Sequence, residues 1–355
     1  MTDYAYINAR IRAMLGRLFN PAAYEALLAK ETPAGLLEGF RESPYAQALE
    51  RTAEVPDSTL QQEATTRVDE ALRWDLAQSL SKLRRIASSR PRRLVEMLLL
   101  RWDAYNLKTI VRGKRAMAPT QEILASTFPV GVLDETALAE LVKAPSLRAL
   151  ANTLGTWRIP LARPVRDGLR VLEQSDTLQS LEFELDRWTF AEAFHVTKDG
   201  DDNDRVVRDY LRLLVEKANL LTALRYLEER SSLSPVEAAR YFLEGDGRFT
   251  RAQYETVVGA RDLRHGLSLL AGTPYGWLRE MFAEVKSLSP TFVERRLDRS
   301  LLHEVRGFMR RDPLGIGVAV AYIEQKINEV RNLRMIMRGK SMELGNEQIA
   351  EWLIV

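Results

Sequence analysis

Apolar residues recur at spacings of three and four along most of the chain, which is the pattern of helices that bury one face. Residues 93–112 show the pattern most clearly, at Leu94, Met97, Leu98, Leu100, Leu107, Ile110 and Val111. Comparable patterns run through residues 206–229, 300–309 and 318–337. Runs of β-branched residues between turn signals are almost absent, so the pattern predicts an all-α protein.

Two breaks interrupt the helical pattern, Phe-Pro-Val-Gly at 128–131 and Glu-Gly-Asp-Gly at 244–247. They divide the 355 residues into segments of similar length, 1–130, 131–245 and 246–355. A length of about 150 residues per domain also favours two or three units. Equal segments are typical of internal repeats, and we predict three tandem helical repeats with these boundaries.

A short motif recurs once in each segment. It runs from Asp103 through Asn106-Leu107 to Arg112, from Glu216 through Asn219-Leu220 to Arg225, and from Glu329 through Asn332-Leu333 to Arg338. The asparagines are 113 residues apart both times, and the chain has only nine Asn, so chance does not explain the spacing. We predict that the motif occupies equivalent places near the C-terminal ends of three long helices.

The arginine that ends each motif has two interpretations. Asp103 and Arg112 are nine residues apart, about half a turn out of phase, so they do not pair along one helix. One interpretation is a structural Arg that interacts with a helix C-terminus and a neighbouring repeat. The other is that the three Arg line one shared polar cavity. The candidate residues for repeat packing or a partner interface are therefore Asn106, Arg112, Asn219, Arg225, Asn332 and Arg338.

A weaker repeat lies upstream of each motif. Short amphipathic stretches occupy 35–40, 147–154 and 263–270. Each precedes a short turn and an aromatic residue, which is Tyr45, Trp157 or Tyr275. One repeat is therefore expected to contain a short helix, an aromatic turn, and long helices that end in the Asn-Leu motif. A further helix is expected after Ser234, because Ser followed by Pro and Glu is typical of a helix N-terminus.

Composition narrows the functional classes. The net charge of +2 argues against a general nucleic-acid binder. The absence of Cys excludes a disulfide scaffold, a Cys-ligated zinc site and an iron–sulfur cluster. The longest uncharged apolar stretch, 315–323, is far shorter than the ~20 residues of a membrane span. Charges at Asp3, Arg10 and Arg12 interrupt the start, so no secretory signal is expected.

No cluster of residues predicts catalysis, a cofactor or a metal. Gly339-Lys340-Ser341 resembles the end of a phosphate-binding loop, but Arg334 stands where that loop needs Gly. Residues 199–204 resemble a calcium loop but lack its Gly and its final Glu. We interpret them as a solvated loop before a helix. The basic cluster at 84–93 is interpreted as a loop or a protein-facing patch.

The triplicated Asn-Leu-x-x-x-x-Arg motif in a helical, Cys-free chain resembles the C subunit of V/A-type rotary ATPases, the counterpart of the d subunit in eukaryotic vacuolar ATPases. The resemblance covers the whole chain. It implies a funnel of three helical domains about a pseudo-three-fold axis. It also implies a non-catalytic rotor subunit, one copy per complex, on the cytoplasmic face of the membrane. Its partners would be the central shaft of the soluble head and the membrane rotor ring, in proton or sodium transport.

Two other classes stay open at this point. One is a helical adaptor unrelated to rotary motors, although solenoid repeats run about 20–50 residues and are shorter than these. The other is an enzyme with a polar site between repeats. Stable association with a shaft or ring subunit, without activity of the isolated chain, separates the rotor subunit from both.

Overall fold

The computed structural model describes residues 2–52, 60–175, 177–229, 233–282 and 289–355. Every regular element within these ranges is a helix, which confirms the all-α prediction. The four long periodic segments lie inside helices that extend beyond them by up to ten residues, because a helix end needs no apolar residue of its own.

The α-helices in chain order are α1 Thr2–Leu15, α2 Pro21–Leu28, α3 Pro33–Arg41, α4 Ala46–Leu49, α5 Leu60–Ile86, α6 Ser89–Arg115, α7 Thr120–Ala125, α8 Glu135–Lys143, α9 Leu147–Thr156, α10 Ala162–Ser175, α11 Leu178–Val196, α12 Asp202–Glu229, α13 Pro235–Ala238, α14 Arg251–Val258, α15 Leu263–Leu269, α16 Trp277–Met281, α17 Pro290–Arg311, α18 Gly317–Ser341 and α19 Asn346–Trp352. A short 3₁₀ helix directly follows α13, at Ala239–Tyr241, and another directly follows α15, at Leu270–Gly272.

After α1, the helices fall into three sets with the same order, α2–α7, α8–α13 and α14–α19. Each set has two short helices, a third of variable length, two long helices and a short last one. The Asn-Leu motif lies in the second long helix of each set, namely α6, α12 and α18. The sets lie within 1–130, 131–245 and 246–355, and the division into domains at these boundaries stays a prediction.

Helix N-caps recur with the sets. The first helix of each set follows Asn20, Asp134 or Thr250, and the second follows Thr32, Ser146 or Asp262. Every one of these side chains accepts the backbone N–H three residues on, which satisfies an otherwise unpaired donor. Both series are spaced by 114 and then 116 residues. Ser234 likewise caps α13 in a capping box, as its sequence predicts.

The chain forms two compact units. Unit 1 contains Met1–Leu99, Phe128–Gly131 and Val305–Val355, and unit 2 contains Leu100–Thr127 and Val132–Glu304. In unit 1, α5 packs against α18, and both helices are lined with fully buried side chains such as Leu72, Leu80, Ile323 and Leu333. In unit 2, buried residues of α12, α14 and α15 share one core, among them Leu224, Tyr254 and Leu267.

Candidate functional site

The acidic residue that opens each Asn-Leu motif is buried. The three acids, Asp103, Glu216 and Glu329, are each 1–2% exposed. A carboxylate that leaves water needs hydrogen-bond or ion-pair partners to replace its hydration. In each case the partners include backbone N–H groups just before the first capped helix of another set. We call this arrangement a backbone clamp.

The first clamp joins the first and second sets. The two carboxylate oxygens of Asp103 accept hydrogen bonds from the backbone N–H groups of Val132 and Leu133, each at 2.9 Å. Leu133 directly precedes Asp134, the N-cap of α8. Both oxygens of the short Asp side chain thus accept a backbone hydrogen bond.

The second clamp joins the second and third sets and adds a tyrosine. Glu216 accepts the backbone N–H of Arg248 and, at 2.5 Å, the hydroxyl of Tyr275. Burial, and then the neighbouring Glu216 carboxylate, raises the pKa of Tyr275 well above its ordinary value. The tyrosine therefore stays a neutral donor.

The third clamp joins the third set to the first. Glu329 accepts the backbone N–H of Phe19 and, at 2.6 Å, the hydroxyl of Tyr45. The Nζ of Lys326 lies 2.8 Å from Glu329 and 2.7 Å from Asp75. Burial alone lowers the pKa of Lys326, but these two carboxylates raise it by more, so the lysine is charged.

Taken in order, the clamps form a circuit. The acid of the first set holds the second set, that of the second set holds the third, and that of the third set holds the first. Each clamp lies inside one compact unit. The sequence placed these acids on a polar helix face and did not predict their burial, because nothing in the motif itself shows that backbone donors cover that face.

Two of the motif asparagines also bind backbone groups, through their side-chain amides. The amide of Asn219 donates to the carbonyl oxygen of Leu243 and accepts from the N–H of the same residue, both at 2.8 Å. Asn332 does the same with Ile354, at 2.9 and 3.1 Å. An amide side chain matches both groups of one peptide residue, which neither a carboxylate nor an apolar side chain does. Asn106 is also fully buried.

Two of the three motif arginines form ion pairs with another long helix. Arg112 lies against Glu182 of α11, with two N–O distances of 2.5 Å, and Arg225 lies 2.8 Å from Glu294 of α17. Both arginines remain more than half exposed. This is the arrangement expected of packing between repeats. That the three arginines line a common cavity stays a prediction.

Arg338 differs from the other two. It is exposed, and within the described ranges it has no ion-pair partner. One turn earlier, Arg334 pairs with Asp69 of α5 at 2.7 Å. The structure therefore brings α18 and α5 together as it does the other two helix pairs, but it leaves the motif arginine outside the ion pairs.

Two of the motif arginines are followed by Gly-Lys, and the glycine of each pair packs against a short helix. A Cβ atom on Gly113 would lie 2.5 Å from Ile123 of α7, and one on Gly339 would lie 2.6 Å from Ile349 of α19. Only glycine allows this approach. Gly339 therefore lies inside a helix and against another, where a phosphate cradle has no room.

The two lysines that follow these glycines also have hydrogen-bond partners. Lys114 donates to the carbonyl oxygens of Val142 and Ala144 at the end of α8, where a cation is favourable. Lys340 donates to the side chain of Asn346, next to the start of α19. The second copy has Tyr226 in place of the glycine, and its hydroxyl donates to the carbonyl oxygen of Leu233.

The predicted aromatic turn is present in two sets and absent from the third, where Gly155 and Thr156 belong to α9. Tyr45 and Tyr275 are buried, whereas Trp157 is 38% exposed and caps α9. The constant residue of the turn is proline, at 44, 160 and 274. Buried Leu161 follows the second proline, as Tyr45 and Tyr275 follow the other two.

Two charged segments, residues 199–204 and 84–93, differ in detail from what the sequence predicts. The helix α12 begins at Asp202, earlier than expected, and Asp204 is fully buried with the backbone N–H of Asp201 directed at it. In the basic cluster, Arg84 and Arg92 share Glu96, at 3.1 and 3.2 Å. The cluster thus contains helix ends as well as a loop.

Within the described ranges, no helix is both long and apolar enough to cross a membrane. In the same residues, no group of three or more His, Asp or Glu side chains is arranged to hold a metal ion. His195, His265 and His303 lie in three different helices.

The chain matches the ATP synthase (C/AC39) subunit family over residues 7–352. It is 31% identical to the C subunit of the V-type ATP synthase of Thermus thermophilus, over 99% of this chain and 98% of that protein. It is 27% identical to the C subunit of the A-type ATP synthase of Pyrococcus abyssi (95% and 86%) and 27% identical to the C subunit of the V-type ATP synthase of Deinococcus radiodurans (98% and 90%). The chain therefore belongs to the ATP synthase (C/AC39) subunit family.

Proposed function

We propose that this chain is a non-catalytic rotor subunit of a V/A-type rotary ATPase or ATP synthase. It couples the central shaft of the soluble head to the membrane rotor ring during proton or sodium transport. The family match over nearly the whole chain and the names of the relatives support a place in such a complex.

The circuit of backbone clamps is the observation that carries the coupling role. A body that transmits torque must resist shear between its parts. Asp103, Glu216 and Glu329 resist it, because moving one set against the next would leave a buried carboxylate without its donors. We propose three domains about a pseudo-three-fold axis, in the funnel that the resemblance implies.

The partners in this proposal are the shaft subunits on one side and the ring subunits on the other, with one copy of this chain per complex. The complex holds the chain at the cytoplasmic face of the membrane. The surface chemistry supports such docking, since 41 of the 51 basic residues are Arg, which forms planar, directional pairs with carboxylates.

Binding of the purified chain to each partner tests the proposal. The chain is mixed with the shaft subunits of its own organism, and separately with the detergent-solubilised rotor ring, and each mixture is analysed by size exclusion with multi-angle light scattering. We expect one chain per shaft and one per ring, and no ATP hydrolysis by the chain alone. A chain that binds neither partner would contradict the rotor role and favour an unrelated helical adaptor.

A further inference from the structure

The third clamp holds a buried ammonium group that the second clamp lacks. In the third clamp, the Nζ of Lys326 lies 2.7 Å from Asp75 and 2.8 Å from Glu329. It donates to the hydroxyl oxygen of Tyr45 at 2.9 Å and lies 4.5 Å from the centre of that ring. Two carboxylates, a phenol oxygen and an aromatic face therefore surround one ammonium group.

The second clamp has the same surrounding groups. Glu216 and Tyr275 are joined by a hydrogen bond, as the acid and the tyrosine of the third clamp are. Half-buried Glu304 of α17 is the second acid. The residue 113 positions before the ammonium-bearing lysine is Leu213. The second clamp thus retains the two acids and the tyrosine, with an apolar side chain in place of the lysine.

Two observations assign Glu304 to the place of Asp75. Residues 297–305 of α17 and 68–76 of α5 share an Asp at the second position, a Leu at the fifth and an acid at the eighth. Burial and the clamp glutamate raise the pKa of each clamp tyrosine most, and the second acid of the same clamp raises that pKa further. Each second acid therefore lies near the tyrosine of its own clamp.

A cavity of about 180 Å³ lies where the second clamp lacks its ammonium. Leu213, Tyr275 and Glu304 all line it. Among the described residues, no basic group lies within 4.0 Å of the Glu304 carboxylate. The rest of the lining is largely apolar and includes Pro274, Trp277, Leu297 and Leu301. The cavity thus combines an unpaired carboxylate with an aromatic and aliphatic wall.

The two basic residues of the lining do not replace the missing lysine. Lys217 is held by Asp298, and Glu294 lies 4.0 Å from the same Nζ. Arg248 is exposed, and its backbone N–H, not its guanidinium, is what binds Glu216. Both cations are therefore engaged elsewhere or directed to solvent.

We propose that this cavity binds a small primary amine, whose ammonium group takes the place that Lys326 fills in the third clamp. Glu304 would form the ion pair, and the Tyr275 oxygen would accept a second N–H. The face of the tyrosine ring also attracts a cation. The apolar walls would cover a short alkyl chain. The proposal does not depend on the rotor role, and its residues lie in one compact unit.

The probe is n-butylammonium, which has the same chain and charge as a lysine side chain. Its binding to the full-length chain at neutral pH is measured by ligand-detected NMR. We expect a Kd of about 1 mM, which is reasonable for a ligand of this size. Neutral n-butanol and anionic butyrate have similar shapes and should bind at least about 10-fold more weakly, because neither forms the ion pair with Glu304.

Three substitutions locate the site. Leu213→Lys supplies the internal ammonium of the third clamp and should abolish binding of the probe, whereas Leu213→Met keeps an apolar side chain and should bind like the wild type. Glu304→Gln keeps the shape of the acid without its charge and should weaken binding by about 10-fold or more. Arg248→Ala removes a neighbouring cation and should strengthen binding or leave it unchanged.

Equal binding of n-butylammonium and n-butanol, or of n-butylammonium to the wild type and Glu304→Gln, would overturn the proposal. Preference for butyrate, lost in Arg248→Ala, would show an anion site instead. Tighter binding of Nα-acetyl-lysine methylamide than of n-butylammonium would overturn the small amine in favour of a lysine side chain of another protein. If the melting curve shows that Leu213→Lys does not fold, Glu304→Gln decides.

Discussion

At the scale of single residues, the motif asparagine has a more specific role than its place near a helix end implies. The amide of Asn219 is the hydrogen-bond partner of both backbone groups of Leu243, and all of these atoms are buried. Removing the amide would leave a donor and an acceptor unsatisfied away from water. Each such group costs about 1–3 kcal/mol.

We therefore expect Asn219→Leu to lower the free energy of unfolding by about 2–4 kcal/mol. Urea denaturation followed by far-UV circular dichroism measures this change. Asn152→Leu is the control, because Asn152 is exposed on α9 and its loss should change stability by less than about 0.5 kcal/mol. Equal effects of the two substitutions would show that the amide does not hold the backbone.

The tyrosine of the second clamp predicts a pH dependence. Burial and the Glu216 carboxylate raise the pKa of Tyr275 in the folded protein. A raised pKa means that the folded state retains the proton after the unfolded chain has lost it. The stabilisation is therefore fully present below the unfolded pKa of about 10, and is lost progressively as the pH rises above it.

We expect the free energy of unfolding to fall between about pH 9 and pH 11, and to fall less steeply in Tyr275→Phe, which has no phenol to titrate. The measurement is urea denaturation at several pH values for both proteins. At neutral pH the variant should already be less stable, because Glu216 loses a buried donor. Parallel alkaline slopes in the two proteins would contradict the assignment.

At the scale of elements, the sequence predicts helices better than it predicts what joins them. The period of apolar residues places α6, α12, α17 and α18, because burial of one face follows directly from that period. The sequence pattern does not reveal the N-caps at 114- and 116-residue spacing. The same capping role is filled by three residue types, at Asn20, Asp134 and Thr250. A search for identical residues therefore does not detect it.

The aromatic turn shows the opposite error. The aromatic pattern points to Trp157, whereas the features that the three turns share are a proline and a buried residue after it. The partners of Arg112 and Arg225 were equally beyond sequence reasoning, since Glu182 and Glu294 lie about 70 residues further on.

The packing of the short last helices gives a prediction at this scale. Gly339→Ala places a methyl group 2.6 Å from Ile349 Cγ1, so α19 must shift, and we expect a loss of about 1–3 kcal/mol in the free energy of unfolding. Gly307 also lies inside a long helix, but nothing is within 4 Å of a Cβ atom there. Gly307→Ala should therefore stabilise the protein by about 0.5–1 kcal/mol.

Chemical denaturation of both glycine variants and the wild type measures these opposite changes. A stabilising effect of Gly339→Ala would mean that α19 does not pack against that glycine. A destabilising effect of both would point to the glycines' backbone freedom instead of the contact.

At the scale of the whole molecule, the two ends of the chain contribute to one compact unit. There Glu329 of α18 holds the backbone of Phe19, and Lys326 lies between Glu329 and Asp75 of α5. At the corresponding positions of the other two sets, 113 and 226 residues earlier, the chain has Leu213 and Leu100. The buried charge network of Lys326 is therefore particular to the third set.

In the proposed coupling role, torque applied at one face has to reach the other without separating the sets. The family match and the clamps both support that role, which is transmission of torque and not chemistry. Removal of the chain should therefore affect ion transport and leave hydrolysis by the soluble head in place.

ATP-driven ion pumping by the reconstituted complex tests this claim most directly. The complex is assembled in vesicles with and without this chain, and ATP hydrolysis and the ion gradient are recorded together. We expect hydrolysis without a gradient when the chain is absent, and recovery of the gradient at one added chain per complex. A gradient of normal size in vesicles that lack the chain would contradict the coupling role.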